Sequence, residues 1–397
     1  MTARGLPAAA LGRIRAAVAG LVETGEVPGA VWLIARGGDT HVDAIGVRNT
    51  DTGAAMRRDT IFRLSSMTKP ITAVAAMILV EAGAIALDEP VDRLLPELAG
   101  RRVLARLGAP LDQTVPAARS ITVRDLLTLR MGFGLLAEPR GYPIQDAIRD
   151  LHVGGRLSPE APPPDEWIRR FATLPLMFQP GERWMYNTGS DVLGVLIARA
   201  AGQPLAAVLR ERVLEPLGMI DTGFHAPPVS HDRLSTSYEA DPETGVLRLY
   251  DVAAGGRWSR APRFASAAAG LVSTIDDYFA FGRMMLDRGA AGAARILSPA
   301  SIAAMTTDAI APAQKAISDL SMLPGFWTEL GWGLGLSVLD GPSVPRGFGW
   351  VGGLGTSWYT DPAADLVAIL MTNRGEYPLT ARVYRAFWDA VYRAVDG

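Results

Sequence analysis

Strand-like runs stand at the two ends of this chain, and helical segments separated by Pro and Gly loops fill the middle. Near the N-terminus, residues 30–35 (AVWLIA) form a short apolar run, Gly37-Gly38 supply a turn, and residues 41–46 (HVDAIG) alternate. This pattern predicts a hairpin. Strand signals return beyond about residue 265. There, residues 355–360 (GTSWYT) and 366–372 (LVAILMT) predict two strands paired around the turn at Asp361-Pro362. Distant ends that share one sheet make the sheet domain discontinuous. The expected architecture is therefore α+β, with residues 1–87 and 246–397 forming the sheet domain. Residues 88–245 form a mainly helical subdomain, and the functional site lies at the interface.

The helical signals are local and have physical causes. Residues 6–22 read as an amphipathic surface helix ending near Gly25. Residues 71–80 (ITAVAAMILV) are almost wholly apolar, with Pro70 before them and Gly83 beyond, which predicts a buried helix with Pro in its first turn. Thr122 and Asp125 form a cap pair at the head of a short helix. A proline-rich loop over residues 158–164 precedes a helix around Trp167–Leu174. Another helix is expected from Asp191 to Ala201, capped by Ser190 or Asp191 and stopped by Gly202. Ser273 or Thr274 caps a helix that carries Asp277 in its first turn, and a helix from about Ala381 to Ala394 closes the chain.

At 397 residues, the chain is long enough for one large core or two subdomains. A net charge of −2 supplies no electrostatic case for nucleic acid or an anionic membrane. Zero cysteines exclude disulfides, thiolate metal sites and cysteine nucleophiles together. Arg13 and Arg15 interrupt the only N-terminal apolar stretch, so no signal peptide is expected. No run approaches the roughly 18 apolar residues of a membrane span. A cytoplasmic protein without membrane attachment is the expectation.

Two lysines occur among 39 basic residues, and one of them follows a serine by three: Ser66-Met67-Thr68-Lys69. A chain so biased towards Arg retains Lys where Arg cannot do the work. Arg stays protonated, whereas a buried Lys can lose its proton and act as a base. Spaced three apart, Ser66 and Lys69 share a helix face, where an amine can take a proton from a hydroxyl. Ser66 then heads a core helix, whose positive end favours developing negative charge.

Two further segments carry chemistry. Tyr186 lies in Trp184-Met185-Tyr186-Asn187-Thr188, just before a helix; standing alone, it reads as a packed aromatic with a bonded hydroxyl. The run Phe348-Gly349-Trp350-Val351-Gly352-Gly353 has glycines that let a strand edge approach a ligand or another backbone.

In this order, Ser-x-x-Lys, a Tyr about 120 residues on, and a Gly-rich strand near the end resemble the serine β-lactamase and penicillin-binding-protein superfamily. The likeness is to its class C-like branch, the family VIII carboxylesterases. Leu126-Leu127-Thr128 with Gly132, the Pro180-Gly181 to Leu193-Gly194 block, and Glu215-Pro216-Leu217-Gly218-Met219 extend the resemblance over roughly residues 10–390. It implies a β-lactamase-like fold, an antiparallel sheet flanked by helices with a helical insertion.

The resemblance also implies roles. Ser66 matches the nucleophile, Lys69 its proton-shuttling partner, and Tyr186 the tyrosine that assists as base and acid. The backbone N–H groups of Ser66 and Gly353 match the oxyanion hole. Trp350, Gly352 and Asn187 match substrate-binding positions. The chain departs from the β-lactamase pattern at Asn187-Thr188, where Ser-Asn is frequent, and at Trp350, where a basic residue or His opens the third motif. Related esterases carry Trp there.

A small-molecule ester substrate is therefore expected, with no cofactor and no metal. The alternatives are an acyltransferase, a β-lactamase or a D-amino-acid peptidase on the same scaffold, or a catalytically silent binding relative. A Ser-His-Asp lipase is disfavoured. No serine lies in a G-x-S-x-G elbow, and His41, His152, His225 and His231 sit in no supporting motif.

Overall fold

The computed structural model describes residues 5–136, 141–154, 160–241, 243–318, 326–339, 345–375 and 382–397. Its centre is a seven-stranded antiparallel sheet. The strands are β1 (Gly29–Arg36), β2 (Asp39–Gly46), β3 (Leu330–Trp332), β4 (Ser337–Leu339), β5 (Gly347–Gly352), β6 (Thr356–Asp361) and β7 (Leu366–Thr372). They are ordered β3-β4-β5-β6-β7-β1-β2. β1 pairs with β7 from Ala30↔Thr372 to Arg36↔Leu366, which joins the two ends of the chain within the sheet, one strand in from its β2 edge.

Both faces of this seam are covered, so β1 and β7 read as unbroken apolar runs rather than alternating ones. Trp32, Ile34, Leu366, Ala368 and Leu370 face the terminal helices α1 (Ala8–Glu23) and, at the C-terminus, Arg382–Asp396. Val31, Leu33, Val367, Ile369 and Met371 face the main core. That core contains α2 (Thr68–Glu81), α3 (Val123–Leu127), α5 (Pro164–Thr173), α6 (Thr188–Ala201), α7 (Leu205–Leu209) and α8 (Ile275–Leu286). α4 (Pro143–Asp150) packs at its margin through Ile144 and Ile148. The last helix, Arg382–Asp396, is α9.

The fold matches the expected α+β, β-lactamase-like architecture, and several local signals are met in detail. Thr122 and Asp125 form the capping box of α3: Asp125 N–H donates to Thr122 Oγ1 at 3.2 Å and Thr122 N–H to Asp125 Oδ2 at 2.9 Å. Thr274, not Ser273, caps α8 by accepting from Asp277 N–H at 3.3 Å. α5 starts at Pro164, while Ser158 and Pro159 of the proline-rich loop lie outside the described residues, as does Ala381 at the expected head of α9.

The start of α6 differs from expectation. It begins at Thr188, with Asn187 rather than Ser190 or Asp191 in the N-cap position. Asp191 lies inside the first turn with its carboxylate bonded elsewhere, so it cannot cap the helix that contains it. Two features bear on the expected domain seam. α2, from the first segment, packs against α6 and α7 of the second. The hairpin of Ser237–Ala240 and Leu247–Asp251 spans residue 245.

Candidate active site

The site grows from the head of α2. Ser65 takes a positive φ of 48°, and residues Ser65–Met67 form a short 3-10 turn that runs into the helix. Tyr278 on α8 donates its hydroxyl to Met67 O at 2.9 Å and pins that turn. Gly352, at the end of β5, faces it across a very short gap. A Cβ on Gly352 would fall 2.1 Å from Leu64 O, so only glycine lets the strand lie this close. Thr356 Oγ1 donates to the same Leu64 O at 3.0 Å, and Tyr384 Oη donates to Gly352 O at 2.8 Å. Among the described residues, neither Ser66 N–H nor Gly353 N–H donates to a protein acceptor. The site of a Cβ on Gly353 is open, its nearest neighbour being Ser65 Oγ at 3.9 Å.

α2 is apolar on most sides, and its polar residues other than the exposed Glu81 at its end are buried too. Three of them reach the same distant segment. Thr68 Oγ1 accepts from Leu271 N–H at 3.1 Å, Thr72 Oγ1 donates to Ala267 O at 3.0 Å, and Lys69 Nζ donates to Ala268 O at 2.9 Å. Lys69 Nζ also lies 3.1 Å from Ser66 Oγ and 2.7 Å from Asn187 Oδ1. The amine is 1 % exposed and sits 4.4 Å from the centre of the Tyr186 ring. Burial disfavours the ammonium and lowers its pKa to about 7, against the opposing pull of the Asp191 carboxylate.

The turn that presents Tyr186 and Asn187 is strained. Asn187 has φ 84° and ψ −65°, and Thr188 N–H bonds back to Tyr186 O at 3.3 Å, which defines a γ-turn of the rare positive-φ kind. Such a conformation persists only where its surroundings hold it. Here the hold is visible: Leu135 N–H donates to the same Tyr186 O at 2.9 Å, and Lys69 grips the Asn187 side chain.

The sequence-predicted residues come together, with two unexpected orientations. Asn187 is almost wholly buried and turns its Oδ1 to Lys69 rather than to open space. Trp350 is likewise buried, packs edge-on to Trp332 at 4.7 Å, and donates its Nε1–H to Tyr186 Oη at 2.9 Å. Arg130 and Arg346 each bond to other protein groups. Arg130 donates to Thr128 Oγ1 and Gln314 Oε1, and Arg346 to Asp396.

One partner was not foreseen. Asp191 is fully buried and accepts from Ser266 Oγ at 2.8 Å and from Ala268 N–H at 3.1 Å. Burial raises its pKa, opposed by those bonds and by the nearby Lys69 charge. Ala268 therefore joins the two ionisable groups, its carbonyl bound to Lys69 and its amide to Asp191. The available signal was a lone carboxylate in the apolar run Asp191-Val192-Leu193-Gly194-Val195-Leu196-Ile197, where an unpaired charge is costly to bury.

An antiparallel sheet carrying helices on both faces, with a Ser-x-x-Lys pair at the head of a core helix and a half-buried Tyr beside it, has the β-lactamase-like architecture. The Beta-lactamase family model matches residues 14–391, and the chain belongs to that family. It is 40% identical over 367 residues to Protein Rv1367c of Mycobacterium tuberculosis, covering 90% of this chain and 88% of that protein. It is 35% identical over 396 residues to Esterase EstB of Burkholderia gladioli, covering 92% and 90%. Among solved structures, it superposes on EstCE1, a hydrolase with promiscuous acyltransferase activity. The TM-score is 0.79 at 28% identity, covering 96% of this chain and 98% of that one.

Proposed function

We propose that this protein is a serine carboxylesterase that cleaves small to medium acyl esters through an acyl-Ser66 intermediate. The observation that carries the reading is the hydrogen-bond count at Lys69. Its Nζ has three oxygen neighbours: Ser66 Oγ, Asn187 Oδ1 and Ala268 O. An ammonium donates to all three. A neutral amine has two N–H bonds and one lone pair. Asn187 Oδ1 and Ala268 O accept only, so they take the two N–H bonds, and the lone pair is left for the Ser66 hydroxyl. Deprotonation of Lys69 near neutral pH thus converts the same geometry into a general base aimed at the nucleophile.

The chemistry then runs in two halves. Ser66 Oγ bonds to the ester carbonyl carbon as its proton passes to Lys69 Nζ. The carbonyl oxygen becomes an oxyanion, which the amides of Ser66 and Gly353 stabilise, each contributing about 3 kcal/mol. The C–O bond to the alcohol breaks, and the departing oxygen takes a proton through Tyr186, resupplied by Lys69. Water reverses the sequence and frees the acid. The Trp350 N–H bond to Tyr186 Oη supports negative charge on that oxygen during transfer and keeps the hydroxyl in place.

Likeness to an esterase and to a hydrolase with acyltransferase activity supports this class of reaction. The latter also favours a second reading, in which an alcohol rather than water receives the acyl group. A β-lactamase or carboxypeptidase role fits less well. Trp350 brings no charge to the third motif, and a substrate carboxylate desolvated without a partner is costly. The test compares kcat/KM for nitrophenyl butyrate and nitrocefin. The ester is expected to be the better substrate, and equal or higher efficiency on nitrocefin overturns the assignment. Adding a primary alcohol and measuring ester product against free acid separates hydrolysis from transfer.

A further inference from the structure

The Gly353 N–H, an oxyanion donor in the scheme above, shares one peptide group with Gly352 O. In a planar trans peptide the C=O and the N–H point in opposite directions. Whatever holds Gly352 O therefore aims Gly353 N–H. The two residues cannot fix that aim themselves. Both are glycine, so no Cβ opposes a rotation that turns the peptide over and points its carbonyl where the N–H had been.

Two donors hold Gly352 O. One is local: Gly355 N–H, at 3.0 Å, closes the turn that leaves β5. The other is Tyr384 Oη, at 2.8 Å, which comes from the first turn of α9. Tyr384 is 4 % exposed and lies in the layer between the sheet and the terminal helices. Farther along the same helix, Trp388 Nε1–H donates to Ser357 Oγ at 2.8 Å and Tyr392 Oη to Asp361 Oδ2 at 3.2 Å. Those two bonds tie α9 to β6. The Tyr384 bond ends on the peptide that carries the proposed donor.

We propose that Tyr384 is a positioning residue for the oxyanion hole: its hydroxyl locks the Gly352–Gly353 peptide with the N–H turned to the substrate's carbonyl oxygen. The inference rests on the esterase reading above. A hydrogen bond accepted at one end of a peptide also polarises it and strengthens the bond its N–H donates at the other. Tyr384 thus acts on charge that develops in the transition state, and ground-state binding gains little from it.

Tyr384→Phe removes the hydroxyl and keeps the ring. With nitrophenyl butyrate, kcat is expected to fall about 10–100-fold, less than the loss of a whole oxyanion donor. KM should stay within about twofold, the mark of an interaction made only in the transition state. Ki for a trifluoromethyl ketone, whose adduct with Ser66 carries the same oxyanion, should rise by the same factor as kcat falls. Tyr392→Phe makes the same chemical change on the same helix, away from the turn, and should lower Tm with kcat within about twofold. Unchanged kcat and Ki in Tyr384→Phe overturn the inference. So does a rise in KM at constant kcat, or an equal loss of kcat in Tyr392→Phe, either of which reduces Tyr384 to packing. If the wild-type protein cleaves no ester, the esterase reading falls, and Tyr384 is judged by the rate at which a fluorophosphonate labels Ser66, since its P=O oxygen uses the same amides. Labelling must then slow by about tenfold or more in Tyr384→Phe. An equal rate, or no label on either protein, overturns the inference.

Discussion

α2 and α9 are helices of 14 and 15 residues, and the molecule uses them in opposite ways. α9 has one buried stripe, Val383, Tyr384, Phe387, Trp388, Val391 and Tyr392, against the sheet, while Arg385, Asp389 and Arg393 face solvent. Spacing alone explains it. α2 is buried over most of its length, with only its last turn, ending in Glu81, reaching solvent. It buries Thr68, Lys69 and Thr72 among apolar neighbours and gives each a partner from the Ala267–Leu271 segment, some 200 residues away. A stripe can be replaced by any stripe of similar shape that keeps the Tyr384 hydroxyl. A buried amine with fixed partners cannot, because each partner left behind loses its hydrogen bond in a dry place. α9 therefore holds the protein together, and α2 carries the proposed reactive pair.

The comparison is broken most sharply at Ser66. Ser66→Ala should lower ester hydrolysis by about 10⁴-fold or more and abolish labelling by a fluorophosphonate, with Tm nearly unchanged. A label that maps to Ser65 instead would reassign the nucleophile. Lys69→Arg keeps the charge but removes the base, so activity should fall by roughly 10²–10⁴-fold. Tyr186→Phe should cost a similar factor. On the proposed shared relay, the double variant should be little worse than either single one; losses that multiply would separate their roles.

On the structural side, Phe387→Ala should cost about 3–5 kcal/mol in chemical unfolding, with kcat per folded molecule unchanged. A loss of kcat at full occupancy of the folded state would show that α9 reaches the site through more than the Tyr384 hydroxyl.

The smallest expected effect is the most informative about Asp191. With the Lys69 pKa at about 7, kcat/KM should rise with pH through that value as the neutral amine forms. Asp191 opposes the lowering of that pKa. Asp191→Asn keeps the side-chain shape and the bond from Ala268 N–H but removes the charge, so the acid limb should move to lower pH. A pH profile that stays in place, with only Tm altered, would make Asp191 purely structural.

The difference between the helices also explains what could be read in advance. β1 with β2, β6 with β7, α1, α9 and the caps at Thr122 and Gly202 depend on neighbours in sequence, and periodicity and turn residues reveal them. Ser66 and Lys69 were visible for the same reason: one helical turn brings them together. The rest of the site was not. The γ-turn at Asn187 contradicts the ordinary preference for a Ser or Asp cap, and it is stable because Leu135 and Lys69 hold it from outside. Trp350 looked like a wall for substrate, yet its N–H serves Tyr186, a residue 164 positions away. Asp191 looked like a cap and is a buried carboxylate whose partners lie 75 and 77 residues on.

Composition, spacing and apolar period determined the elements, the two-ended sheet and the pairing of Ser66 with Lys69, since those follow from forces acting within a few residues. Tertiary structure decided what protonation state the amine can reach and which way Asn187 and Trp350 turn. Those depend on desolvation and on hydrogen-bond partners supplied by remote segments, and no local pattern records which remote segment will arrive.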